Sequence, residues 1–160
     1  MTIDPQPSPS STSAQTSAVS PAIWNPNAAA NWSLLFSPAF GAYLHMRNWH
    51  ALQEPAKAAT AKGWFIASLI MLGVYVVLGF LFRNSKTVDA GTRGLALAYL
   101  LVWYFAAARG QAKYVKARFG TSYERKKWGK PLAVGALAII GLFIVGIFLA
   151  LLQLIWSQLT

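Results

Sequence analysis

Three uncharged apolar stretches, at residues 64–82, 95–108 and 132–156, constrain this chain more than any other feature. A helix rises about 1.5 Å per residue and a hydrocarbon layer is about 30 Å thick, so the first and third stretches are long enough to cross one. Inside that layer no water is at hand for the backbone, and the polar groups of each crossing segment must be satisfied within a helix. The sequence therefore predicts an all-α membrane protein with three transmembrane helices, at about 64–82, 94–109 and 132–156. Composition agrees: the chain is 56% hydrophobic and 11% charged, whereas a soluble domain is about a quarter charged.

Each Leu, Ile, Val or Phe contributes roughly −0.45 kcal/mol to insertion near a helix centre. Sixteen of them in 132–156 and twelve in 64–82 sum to values on the order of −7 and −5 kcal/mol. The middle stretch holds six, on the order of −3 kcal/mol, and lies between Arg93 and Arg109. It spans only if both guanidinium groups reach outward or the bilayer thins. A fourth apolar run at 32–46 is too short and is interrupted by Pro38, Gly41 and His45. An interfacial or re-entrant element is expected there, with Trp32, Tyr43 and Trp49 at headgroup depth.

Charge supplies the orientation. Of the fourteen basic residues behind the net charge of +10, eight lie in the loop 109–130: Arg109, Lys113, Lys116, Arg118, Arg125, Lys126, Lys127 and Lys130. Glu124 is the only acid among them, and the segment 83–93 has three basic residues. The positive-inside rule puts the 109–130 loop and the N-terminus in the cytoplasm and the C-terminus outside. The same cations should attract anionic lipid headgroups, or an acidic protein partner, with Tyr114, Phe119, Tyr123 and Trp128 interleaved. No nucleic-acid partner is expected, since in a membrane protein such an excess reports topology first.

Three regions follow. Residues 1–22 are rich in Ser, Pro and Thr, lack the pattern of a secretory signal and are expected to be a disordered tail. Residues 23–54 form the aromatic interfacial or re-entrant segment, and 55–160 the transmembrane domain. Pro55 at a first helical position should open a helix running through 56–62 into the first span. The second helix should continue to about Phe119 and turn at Gly120. Thr121-Ser-Tyr-Glu124 reads as a capping box starting a short helix before Pro131.

Small and polar residues inside the spans mark faces for helix packing or for a partner. Ser68, Tyr75 and Gly79 align on the first helix, and Gly135, Gly146 and Gln153 on the third. Close approach is expected along both stripes. No set of residues amounts to a catalytic centre: no acid occurs inside a span, the four acids are scattered, and there are no cysteines. His45, His50 and Glu54 lack the fixed spacing of a metal site, so neither metal nor cofactor is expected.

The run NWSLLFSPAFGAYLHMRNW at 31–49, followed by apolar spans and a Tyr/Lys/Arg-rich segment, resembles small bacterial inner-membrane proteins of unknown function. In these a Trp-x-x-x-Phe-x-x-Pro-Phe phrase precedes a helical hairpin. Here Ser37-Pro38-Ala39-Phe40 departs from the phrase. The resemblance implies a bacterial inner membrane and supplies no activity. Size and class suggest a non-catalytic protein acting through protein–protein contacts. It would be a subunit of an envelope complex or an immunity protein against a membrane-directed toxin, with homo-oligomers allowed. The alternative is a small oligomeric channel or transporter subunit.

Overall fold

Proline opens each of the first three helices, at the position where a missing backbone N–H costs nothing. In the computed structural model, which describes residues 21–159, these are α1 (Pro26–Phe36), α2 (Pro38–Ala51) and α3 (Pro55–Leu81). Then come α4 (Lys86–Trp103), a π-helical turn (Tyr104–Ala108), α5 (Arg109–Phe119) and α6 (Gly129–Leu159). The described residues are 84% helical with no strand. Three helical runs, Pro55–Leu81, Lys86–Phe119 and Gly129–Leu159, are long and apolar enough to cross a membrane. The chain is an all-α protein of the multi-pass membrane class. The expectation of a disordered tail lies, except for its last two residues, outside the described residues.

The hydropathy of the three runs falls in the expected order, 2.9 for the last, 2.3 for the first and 1.2 for the middle one. The middle helix begins earlier than about residue 94. Ser85 Oγ caps it by accepting from Val88 N at 3.3 Å, and Asp89 in its first turn favours the positive helix end. Arg93 then pairs with Asp89 at 3.0 Å along the same helix. This helix continues through Arg109 to Phe119 and stops at Gly120, whose φ of +58° suits glycine.

Residues 120–128 form no helix, which corrects the capping-box reading of Thr121–Glu124. Backbone pairing with the N-terminal segment replaces it. Ile23 N donates to the Glu124 carbonyl and Lys126 N to the Ile23 carbonyl, both at 3.0 Å, in an isolated parallel bridge. Trp24 Nε1 donates to the Lys127 carbonyl at 3.1 Å.

Between α1 and α2 the chain reverses at Ser37, whose φ of 150° is a conformation that side chains rarely adopt. Its Oγ accepts from Phe40 N at 3.4 Å. The far ends of the two helices come together, because Trp24 N donates to Asn48 Oδ1 at 3.0 Å and Asn48 Nδ2 returns a bond to the Trp24 carbonyl at 2.8 Å. The hairpin thus enters and leaves at the end of the bundle where the basic loop lies. Packing concentrates there. Ile23, Trp49, Leu52, Ala58, Ala61 and Val115 form one cluster, and Ala30, Ala42, Trp103 and Ala108 another.

Candidate functional site

The middle helix changes pitch where it meets α2. A π turn carries one extra residue per turn and occurs often at functional sites. Here it brings Trp103 and Ala108 onto one buried face, each 1% exposed, whereas α-helical spacing would pair Trp103 with Ala107. Facing them, α2 contributes Ala42, His45 and Trp49, and α3 contributes Lys57, Ala61 and Trp64. Together they line a pocket of about 270 Å³ that reaches Gly110 and Tyr114 on α5.

The inner wall of this pocket is unusual in its polar groups. His45 is 3% exposed and packs edge-on against Trp103, ring centroids 5.8 Å apart. Among the described residues neither ring nitrogen of His45, nor Trp103 Nε1, has a hydrogen-bond partner. A buried polar group left unpaired costs about 1–3 kcal/mol. Burial pushes the His45 pKa down to about 4, opposed in part by the Gln111 amide. That amide gives its own N–H to the His45 carbonyl, at 2.9 Å, rather than to the ring.

The backbone around the pocket is pinned by a buried amide pair. Asn48 and Gln111 are both fully buried, and Asn48 Nδ2 donates to Gln111 Oε1 at 3.1 Å. Through Asn48 to Trp24 and Gln111 to His45, this pair ties the N-terminal segment, α2 and α5 together.

Charged groups close the pocket on its basic side. Lys57 Nζ lies 4.1 Å from the Tyr114 ring centroid, 5.0 Å from that of Trp49 and 3.3 Å from Glu54 Oε2. Tyr114 donates its hydroxyl to Glu54, and Arg118 stands 3.7 Å from the same carboxylate. The Tyr114 hydrogen bond, followed by Lys57, holds the Glu54 carboxyl below its usual range.

The intramembrane stripes fare differently. Ser68 Oγ lies 2.9 Å from Tyr99 Oη, so its partner helix is α4 and not α6. A Cβ on Gly135 would come within 2.8 Å of the Phe36 ring, making α1 the neighbour there. Gln153 Nε2 donates to the Phe80 carbonyl at 2.8 Å and accepts from Arg83 at 3.2 Å, fastening α6 to the end of α3. At Gly79 and Gly146 an added Cβ would meet nothing within 4 Å. The close approach expected at those two glycines is absent: fixed at Gly135 and Gln153, α6 stands away from α3 in between. Tyr75, Gly79, Gly146 and Gln153 instead border a groove of about 590 Å³.

The basic residues are divided as well. Arg109, Lys113, Lys116, Arg118, Arg125, Lys127 and Lys130 are exposed and Lys126 half-buried. Several lie over rings, Arg109 on Phe105 at 5.7 Å, Arg125 on Tyr123 at 5.7 Å and Lys126 on Trp24 at 4.7 Å. His45, His50 and Glu54 do not converge. Among the described residues no three His, Cys, Asp or Glu side chains form a group able to hold a metal ion.

No family model matches the chain, and no curated protein or solved structure does. Function is therefore argued from the geometry. Sequence reasoning missed Trp103, Asn48 and Gln111. The available signal was two amide side chains beside aromatic runs, but helical periodicity hides any pairing that depends on a π turn.

Proposed function

We propose that this protein is non-catalytic and acts through protein–protein contacts within the bilayer. It would serve as a subunit of a complex in a bacterial inner membrane, or as an immunity protein against a membrane-directed toxin. The observation that carries this reading is α6: of its thirty-one residues only Pro131 and Gly135 are buried. A membrane helix gains little by lying alone in lipid, and association there is driven by close packing and by polar groups seeking partners. The α3–α6 groove offers room, with Gly79 and Gly146 leaving space for a backbone, and beside it the buried Tyr75 hydroxyl has no hydrogen-bond partner among the described residues. The resemblance of the 31–49 run supports the bacterial inner membrane. The charge of 109–130 supports a cytoplasmic loop and N-terminus, a periplasmic C-terminus and contact with anionic headgroups.

A photo-crosslinking side chain at Gly146 tests this in native membranes, with one at Ile144, about 160° round the helix, as control. The expected result is a discrete protein adduct from position 146 and lipid adducts from 144. Lipid adducts from both overturn the proposal. An adduct of twice the chain mass favours the small oligomeric channel or transporter subunit instead.

A further inference from the structure

The α1–α2 hairpin takes no part in the α3–α6 groove, and its exposed surface is of another kind. We propose that this hairpin is a lipid-binding wedge: its tip lies among the acyl chains of one leaflet only, the leaflet on the basic-loop side, and gives the protein a preference for membranes convex on that side. This goes beyond the protein-contact reading and does not depend on it.

The first observation is a gradient of polarity along the hairpin. No Asp, Glu, Lys or Arg occurs from Pro26 to Met46. On α1 the exposed residues run from Asn27 and Asn31 near the base to Leu34 and Leu35 near the tip, the last two 72% and 63% exposed. On α2 they run back from Tyr43 to Arg47 and His50 at the base. A helix lying flat on a membrane divides polar from apolar across its width. Here the division runs along the length, which suits helices that stand in a leaflet with their base in water.

The second observation is depth. Phe36 rests against Gly135, Gly41 against Trp103, and Tyr43 packs on Phe65 with ring centroids 5.7 Å apart. Gly135, Trp103 and Phe65 all belong to the apolar stretches, near the ends that face the basic loop. At about 1.5 Å per residue α1 and α2 rise about 16 and 21 Å, short of a hydrocarbon layer of about 30 Å. Their base is held at the loop, by Trp24 N on Asn48 Oδ1 and by Ile23 N on the Glu124 carbonyl. The turn itself leaves little backbone unpaired: Pro38 has no N–H, Phe40 N donates to Ser37 Oγ at 3.4 Å and Gly41 N to the Ser37 carbonyl at 3.5 Å. The carbonyls that close α1 lack helical partners, which keeps the tip at the shallow edge of the acyl region.

The consequence is a difference in width between the leaflets. At the level of Gly135, Trp103 and Phe65 five helical segments stand together, α1, α2, α3, the middle helix and α6. Toward the other leaflet, among the described residues, only α3, the middle helix and α6 continue. A protein broader on one side displaces more lipid there, and shallow insertions of this kind are sensitive to curvature.

The chain has no cysteine, so single cysteines can carry a nitroxide in the full chain in lipid bilayers. Asn27→Cys, Asn31→Cys, Leu35→Cys, Tyr43→Cys and Arg47→Cys are read for collision with oxygen and with a water-soluble nickel chelate, with Ile144→Cys marking the centre of a span. The label at 35 should be the deepest of the five yet shallower than that at 144, and depth should fall toward 27 and 47. Equal depth at all five, a label at 35 in water, or a depth at 35 matching that at 144 would each overturn the proposal. Curvature is read in nanotubes pulled from giant phosphatidylcholine–phosphatidylglycerol vesicles, with a dye on Thr121→Cys and an impermeant reductant that bleaches outward dyes to separate the two orientations. Molecules with the basic loop outside should be enriched in the tube over the flat membrane, and those with it inside depleted. Leu34→Ser combined with Leu35→Ser, both at exposed positions, should bring both ratios to unity. Equal ratios for the two orientations, or ratios unchanged by the serines, would overturn the wedge. Should the double variant not fold, the two orientations of the chain with both leucines intact still decide it.

Discussion

At the scale of the residue, His45 shows how position overrides type. Its neighbours Trp103 and Gln111 carry no charge, and burial holds its pKa at about 4 against 6.5 for an exposed imidazole. The unfolded chain therefore takes up the proton first as the pH falls. Stability fully present above pH 6.5 is lost as the pH drops toward 4, by about 3 kcal/mol in all. Glu54, also held low, acts in the same direction below the usual carboxylate range. The unfolding temperature in detergent is expected to fall between pH 7 and pH 4.5, and His45→Gln should remove most of that slope. An unchanged slope in His45→Gln would assign the effect to another group. From sequence this histidine was one of three scattered polar residues near the interface; its isolation became visible only with Trp103 placed against it.

At the scale of the element, two helical glycines differ in what surrounds them in the fold. Gly41 of α2 lies where α1 and the middle helix meet: a Cβ there would stand 1.9 Å from Ser33 Oγ and 2.5 Å from Trp103 Cη2. Gly41→Ala should cost about 1–3 kcal/mol through overpacking. Gly79→Ala enters open space on α3 and should leave stability unchanged or raise it by about 0.5–1 kcal/mol, since alanine is the better helix former. Thermal unfolding of the two variants side by side checks this; equal losses would mean that the α3–α6 groove closes in the native protein. The start at Pro55 and the stop at Gly120 were legible, because both act through local backbone rules. The 121–128 segment was not. A capping box is a local preference worth about 1 kcal/mol, and pairing of Glu124 and Lys126 with Ile23, about a hundred residues away in sequence, displaced it.

At the scale of the whole molecule, packing is uneven. The end that carries the hairpin, the basic loop and both core clusters is closely packed, while α6 touches the remainder near Gly135 and Gln153. In the proposed topology three crossings would put the ends of the membrane domain on opposite sides, and the eight basic residues of 109–130 would select the cytoplasm for that loop. A reporter fused after Thr160 that is active only in the cytoplasm should be silent, and one inserted at Ser122 should be active. Strong cytoplasmic activity at Thr160 would remove the three-span arrangement.

What the sequence by itself determined was whatever depends on solvent and on neighbours a few residues away. Apolar length sets the three helices, proline and glycine set several of their ends, and the hydropathy order of 64–82, 95–108 and 132–156 carries over into the folded helices. Only the tertiary structure decided which faces meet. Ser68 turned to Tyr99, Gly135 to Phe36, and Asn48 to Gln111, whereas the alignment of small residues had marked faces without naming what each would meet. The physical reason is that lipid solvates every apolar face almost equally well, so hydropathy carries no record of the partner. Partner choice falls to a few hydrogen bonds, a ring against a glycine and one π turn, which only the assembled helices reveal.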